Sequence, residues 1–72
     1  MQTLDFSLRG EFITLDRLLK ATGLAESGGA ARMMITEGLV QVDGRDESRK
    51  TAKIRAGQVV RVGDVEIRVD AA

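Results

Sequence analysis

The dipeptide Asp43-Gly44 constrains the fold of this chain more than any other feature, because it predicts a tight hairpin turn near the centre. It follows Leu39-Val40-Gln41-Val42, where the apolar residues recur with the period of two that is typical of a strand. Asp-Gly favours the type I′ turn, whose twist suits two antiparallel strands. Residues 45–47 are expected to form a short return strand, so the sequence predicts a β-hairpin at this point.

Three more segments show the alternation of a half-buried strand. Residues 59–62 and 65–69 are separated by the turn residues Gly63-Asp64, and residues 4–8 alternate near the N-terminus. Residues 53–55 are expected to be a short strand or an extended connector. We therefore expect a small antiparallel sheet, with 4–8 and 65–69 as added N- and C-terminal strands.

Two helices are predicted between the first strand and the hairpin. The first covers residues 15–22, with the Thr14 hydroxyl as N-cap and Gly23 as the residue that ends it. The second begins after Ser27, another N-cap residue, and ends at Gly38. Each helix has one apolar face at helical spacing, made by Leu15, Leu18 and Leu19 in the first and by Ala30, Ala31, Met34 and Ile35 in the second.

These elements predict an α+β fold in which two short helices pack on a small antiparallel sheet. The chain of 72 residues suffices for one domain, 1–72, and its 43% hydrophobic content is too high for a disordered chain. Phe6 and Phe12, the two aromatic residues, are assigned to the core, as are Met33 and Met34. This assignment leaves no aromatic platform for nucleobases, so any recognition of nucleic acid is expected to depend on shape and backbone.

The composition excludes several kinds of chemistry. The chain has no cysteine and no histidine, so it lacks thiolates, disulfides, and the commonest metal ligand and general base. Its carboxylates are scattered, with no spacing that indicates a metal site or a catalytic pair. We therefore expect no enzymatic activity, cofactor, metal or small-molecule substrate. No apolar run approaches the roughly 20 residues of a membrane span, and the N-terminus lacks a signal-peptide pattern, so a cytoplasmic protein without membrane contact is expected.

The basic residues are concentrated in one segment although the formal net charge is zero. Residues 45–61 carry six basic side chains against two acidic ones, whereas residues 1–44 and 62–72 are each net acidic. This asymmetry produces a local positive potential. The segment therefore supplies candidate phosphate-binding residues, chiefly Arg49, Lys50, Lys53 and Arg55. The alternative is a solvated hairpin face without a ligand, because basic surface loops are common.

The start of the second helix is the other candidate binding site. Ser27-Gly28-Gly29 combines free backbone N–H groups and the helix dipole with two residues that lack side chains, an arrangement that admits a phosphate. The alternative is an ordinary capped helix packed closely on the first helix. Arg32 lies off the apolar face of the second helix. It either faces a ligand beside Arg49 and Lys50, or it pairs with Glu37 or another acid.

The ordered set of these motifs resembles a known family. The run Ser27-Gly28-Gly29-Ala30-Ala31-Arg32-Met33-Met34-Ile35-Thr36-Glu37-Gly38-Leu39-Val40-Gln41-Val42-Asp43-Gly44 is similar to the core of the RNA-binding domain named after small-subunit ribosomal protein S-four. Residues 15–19 are similar to the first helix of that family and residues 56–60 to its closing turn and strand, so the resemblance covers the core 15–62. The runs Glu26-Ser27-Gly28 and 47–54 resemble its small stand-alone bacterial members, the YbcJ-type proteins.

The resemblance implies the αL-motif fold and binding to structured RNA, either ribosomal or transfer RNA. It implies that the second helix and the following basic hairpin dock on the RNA backbone, with contacts from Ser27, Gly28, Gly29, Arg32, Arg45, Arg49, Lys50, Lys53 and Arg55. Ribosome or RNA-processing proteins are further expected partners. Many members of the family carry basic residues where this chain has Thr14 and Gly28. A second function therefore stays open, a protein-interaction or ribosome-assembly module with the same fold and weak or lost RNA affinity.

Overall fold

Two helices and seven short strands make up the part of the chain that the structure describes, residues 2–72 of a computed structural model. The predicted domain covers residues 1–72, and its first residue, Met1, lies outside the described range. The elements in chain order are β1 (Gln2–Leu8), β2 (Ile13–Thr14), α1 (Leu15–Ala21), α2 (Gly28–Thr36), β3 (Val40–Val42), β4 (Arg45–Asp46), β5 (Lys53–Ile54), β6 (Val59–Val62) and β7 (Val65–Ala71).

Five strands form the main sheet, in the order β1-β7-β6-β3-β4. The α+β fold of two helices on a small sheet is confirmed, and the pairs β3–β4, β3–β6 and β6–β7 are antiparallel as expected. The added strand β1 differs, because it runs parallel to β7 with Leu4 opposite Ile67 and Phe6 opposite Val69. The sheet is therefore mixed, and the expectation of a wholly antiparallel sheet is wrong at this edge.

A second, two-stranded sheet joins β2 to β5 and holds the start of α1. Ile13 pairs with Ile54 and Thr14 with Lys53. Thr14 occupies the N-cap position with extended backbone, but its side chain makes no capping hydrogen bond, so its prediction as a hydroxyl cap is wrong. The Leu15 N–H instead donates to the Ala52 carbonyl at 2.9 Å. The Asp16 N–H, which a cap side chain would otherwise satisfy, donates to the Lys50 carbonyl at 3.1 Å.

Both helices bury the faces that the sequence predicts. Leu15, Leu18 and Leu19 of α1 are fully buried, and so are Ala31 and Ile35 of α2. Ser27 caps α2 as expected, because its Oγ accepts from the Ala30 N–H at 3.1 Å. The Ser27 cap therefore defines the residue at which α2 begins.

The hydrophobic core extends beyond residues 15–62. Leu8 of β1 and both Ile67 and Val69 of β7 are at most 4% exposed and belong to the same cluster as the helix leucines. Full burial of one aliphatic side chain stabilises a protein by about 1.5–3 kcal/mol. The added strands are thus part of the core of the domain and not attachments to it.

The central hairpin has the predicted turn. Asp43 and Gly44 have φ values of +51° and +83°, the left-handed pair that a type I′ turn requires. The Asp43 carboxylate accepts from the Val59 N–H and from Gln58 Nε2, both at 3.0 Å. These hydrogen bonds lower the pKa of Asp43 from its ordinary value. Asp43 therefore ties the hairpin to β6 as well as making the turn.

Candidate nucleic-acid interface

The start of α2 is open where the sequence places two glycines. A Cβ added at Gly29 would have as its nearest neighbour Ser27 Oγ at 3.8 Å, and one added at Gly28 would meet Arg32 Nη2 at 3.9 Å. Both distances are ordinary van der Waals contacts. Close packing on α1 therefore does not account for the glycines, although glycine in a helix costs up to about 1 kcal/mol relative to alanine.

Arg32 extends from the exposed side of α2 toward the start of α1. Its Nη1 lies 3.9 Å from Asp16 Oδ2, and the two side chains are 53% and 14% exposed. The acid that Arg32 meets is therefore Asp16 and not Glu37. An ion pair at this distance and exposure contributes about 0–1 kcal/mol, so it orients the guanidinium without removing it from the surface.

Arg49 is held by the carboxylate of Glu47. The Arg49 Nε and Nη2 donate to the two carboxylate oxygens at 3.2 and 3.1 Å, and the Arg49 backbone N–H donates to Oε2 at 3.1 Å. These hydrogen bonds lower the pKa of Glu47 and raise that of Arg49. Two-point contacts of this kind fix the direction of a guanidinium. The Arg49 side chain remains 78% exposed, so it is oriented and still accessible.

Lys50 lies in the loop that precedes β5 and borders α2. It lines an open depression of about 200 Å³ together with Gly29, Arg32, Met33 and Thr36 of α2 and the following Glu37. It also lines a second depression, of about 600 Å³, with Arg49 and Lys53. We define the basic surface as five residues of these two depressions. They are Gly29, which has no side chain, and the positively charged Arg32, Arg49, Lys50 and Lys53.

The remaining predicted site residues lie around this surface. Arg45 lines a third depression with Arg49, but three carboxylates, those of Asp43, Asp46 and Glu47, share it. Arg55 is exposed and lines none of these depressions. Ser27 and Gly28 immediately precede Gly29 at the start of α2. The structure thus brings five of the nine predicted residues onto one surface and places Ser27, Gly28 and Arg45 next to it, while Arg55 lies outside the depressions.

Two exposed apolar side chains were assigned wrongly to the core. Met33 is 63% exposed and Phe12 is 40% exposed, whereas Phe6 and Met34 are half-buried against the core. The helical spacing already placed Met33 off the face of Ala31 and Ile35. Ile13 pairs in β2 and packs on the core, whereas Phe12 immediately precedes this strand and remains exposed.

The described residues show neither a metal site nor a membrane helix. Within residues 2–72, no group of three or more metal-ligating side chains is close enough to hold an ion. No helix in this range is both long and apolar enough to cross a bilayer. The basic surface itself offers cations and the backbone N–H groups of a helix start, which bind anions.

Comparison with known families decides where this fold belongs. The S4 domain matches residues 6–70, which include both helices and all of the basic surface. The chain belongs to the S4 domain family. This membership, and not the lack of a catalytic cluster, supports the expectation that the chain is not an enzyme.

Individual S4 domain proteins show how far the similarity extends. YbcJ of Escherichia coli strain K12 is 46% identical over 57 residues, which cover 79% of this chain and 81% of YbcJ. RlbA of Bacillus subtilis strain 168, named as a probable ribosome maturation protein, is 34% identical over 56 residues, or 78% of this chain and 79% of RlbA.

A solved structure of an S4 domain relative has the same fold. The solution structure of YbcJ from Escherichia coli superposes with a TM-score of 0.67 at 41% sequence identity, covering 99% of this chain and 89% of that chain. The YbcJ structure is described as revealing an αL motif involved in RNA-binding. The αL-motif fold implied by the motifs of this sequence is thereby confirmed.

Proposed function

We propose that this S4 domain binds structured RNA, ribosomal or transfer RNA, through the basic surface. The observation that carries the proposal is the position of Lys50. It lines one depression with Arg32 of α2 and another with Arg49 of the preceding loop and Lys53 of β5. The αL motif that the YbcJ structure associates with RNA-binding supports this assignment. The RlbA name supports a ribosomal RNA in particular.

The binding mechanism is the replacement of counterions on RNA phosphates by fixed cations. Each lysine or arginine that meets a phosphate releases condensed counterions, so affinity decreases as the salt concentration increases. Arg49 and Arg32 are oriented by Glu47 and Asp16, which reduces the conformational freedom they lose when they bind. The surface thus reads the position of the backbone and not the identity of the bases.

The start of α2 adds backbone donors to these cations. Ser27 satisfies the Ala30 N–H, while the preceding N–H groups of Gly28 and Gly29 point out of the first turn, as at every helix start. With no side chain at either glycine, a phosphate can approach these donors closely. Arg45 and Arg55 contribute at the margin.

The test is a titration of the protein with a structured RNA at low and high salt. We expect binding at low salt that weakens as salt increases. The variant R49A/K50A should lose affinity at low salt and show a shallower dependence on salt. The matched control is R61A/R68A, which removes the same charge from exposed positions of β6 and β7. The proposal would be contradicted if the wild type does not bind the RNA, or if R49A/K50A and R61A/R68A lose the same amount of RNA affinity.

A second candidate function is a protein-interaction or ribosome-assembly module with weak RNA affinity. The similarity to RlbA and the lack of basic side chains at Thr14 and Gly28 favour it. Purification from lysate with and without ribonuclease separates the two functions. A protein partner that is retained after the RNA is digested supports this second function, whereas loss of all partners supports RNA binding.

A further inference from the structure

An open depression of about 320 Å³ lies where the end of β1 approaches the start of α1. Arg9 and Arg17 line it together with the ring of Phe12, and no carboxylate does. The depression is therefore positively charged with an apolar floor. None of its residues belongs to the basic surface defined above.

Phe12 is the more exposed of the two aromatic residues, with 40% of its surface accessible. The Lys53 Nζ lies 4.9 Å from the centroid of its ring, within the range of a cation–π contact. Lys53 also lines the loop depression of the basic surface. One lysine thus borders both the basic surface and the Phe12 ring, so the two surfaces are continuous.

We propose that Phe12 is a stacking platform for one unpaired nucleobase of the bound RNA. Arg9, Arg17 and Lys53 hold the phosphates on either side of that nucleotide. The proposal rests on the RNA binding proposed above and specifies its target, a structured RNA with an unpaired nucleotide adjacent to the helical part. A continuous duplex has no free base for the ring and fills only the basic surface.

The chemistry of the depression matches this ligand. Aromatic rings surrounded by cations are the arrangement with which proteins bind single-stranded nucleic acid, because every base has a face that stacks. The apolar ring receives the base, and the positive charges receive the backbone. Since stacking is tolerant of sequence, the platform selects for an unpaired base and not for a particular one.

The test uses two RNA probes, a blunt duplex and the same duplex with a single-stranded adenosine overhang. The chain contains no tryptophan and no tyrosine, so the variant F12W has one fluorophore, located at the proposed platform. We expect the overhang probe to quench F12W emission and the blunt duplex to leave it nearly unchanged. We also expect F12L, which keeps apolar packing without an aromatic face, to weaken binding of the overhang probe about 5- to 150-fold, the range for one stacked base.

Control measurements separate this proposal from the proposed function. L39A removes another exposed apolar side chain, 49% exposed and outside the depression, and should leave both affinities unchanged. F12L should bind the blunt duplex as tightly as the wild type. If F12L binds both probes like the wild type, or if F12W emission is unaffected by saturating overhang probe, the platform is excluded while RNA binding stands. If the wild type binds neither probe, both proposals are overturned.

Discussion

The backbone N–H of Asp16 donates to the carbonyl of Lys50 at 3.1 Å. This hydrogen bond fixes the main chain of Lys50 against the first turn of α1. The Asp16 side chain at the same time lies near Arg32 of α2. The start of α1 therefore positions two of the cations of the basic surface, one through its backbone and one through its side chain.

Replacing Lys50 by alanine tests the link between the two depressions. We expect K50A to weaken RNA binding at low salt and to reduce the slope of log affinity against log salt by about 1, the value for one phosphate contact. The change should not depend on RNA sequence, because a phosphate contact does not read bases. K20A removes the same charge from an exposed position of α1 and should leave the slope unchanged. Equal slopes for K50A and the wild type would contradict the assignment of Lys50.

Replacing Gly29 by alanine separates stability from binding. The added Cβ meets only Ser27 Oγ at 3.8 Å, and alanine restricts the unfolded chain, so we expect the free energy of unfolding to increase by up to about 1 kcal/mol. The methyl group narrows the approach to the first turn, so RNA affinity should decrease. Urea denaturation and RNA titration of G29A measure the two effects.

The contrasting variant is G38A at the end of α2. Gly38 has a φ value of +78°, which alanine adopts only with strain, so G38A should lose stability and keep its RNA affinity. If G29A binds RNA as well as the wild type does, the glycine does not serve ligand approach.

The carboxylates of Asp43 and Glu47 make stability depend on pH. Their pKa values in the folded protein lie below the ordinary values, because hydrogen bonds from Gln58 and Arg49, respectively, favour the charged forms. Groups with lowered pKa contribute stability that is complete above the unfolded pKa, about pH 4, and is lost as the pH falls through the folded value. Urea denaturation should therefore show lower stability at about pH 3 than at about pH 6.

The variant D43N measures how much Asp43 contributes to the pH dependence of stability. Asparagine tolerates the positive φ of the turn but carries no charge. We therefore expect D43N to be less stable than the wild type near neutral pH by up to about 1 kcal/mol. The expected loss is small because Asp43 is exposed. Its stability should change less on acidification than that of the wild type. An equal pH dependence in the two proteins would show that Asp43 does not contribute.

The features that sequence could predict are local ones. The Ser27 cap and the Asp43-Gly44 turn depend on residues within a few positions, and both have the expected geometry. The exposure of Met33 was also available from helical spacing. The apolar side chain of Met33 suggests the core, but its position on the helix decides its exposure.

The features that sequence could not predict join distant parts of the chain. Alternation identifies residues 4–8 as a strand, but it does not specify β7 as the neighbour or a parallel direction. The pattern predicts a Thr14 hydroxyl cap for α1, whereas the carbonyls of Lys50 and Ala52 accept from the N–H groups of Asp16 and Leu15. The proximity of Asp16 to Arg32 likewise depends on how the two helices pack.

Removing the outer strands tests whether the core 15–62 folds alone. That fragment lacks Leu8, Ile67 and Val69, each buried in the common core. At about 1.5–3 kcal/mol each, their loss is comparable to the whole stability of a domain of this size, about 4–10 kcal/mol. We expect the fragment 15–62 to be unfolded by far-ultraviolet circular dichroism. A cooperative unfolding transition of the fragment would show that the added strands are dispensable.

The most direct test of the central claim is NMR chemical-shift mapping of the ¹⁵N-labelled protein during titration with a structured RNA. We expect the largest shifts in α2 from Gly28 to Arg32 and in residues 47–53, with little change at Arg61 and Arg68 on the sheet. Shifts confined to the sheet strands β6 and β7, or no shifts at low salt, would contradict the claim that the basic surface binds RNA.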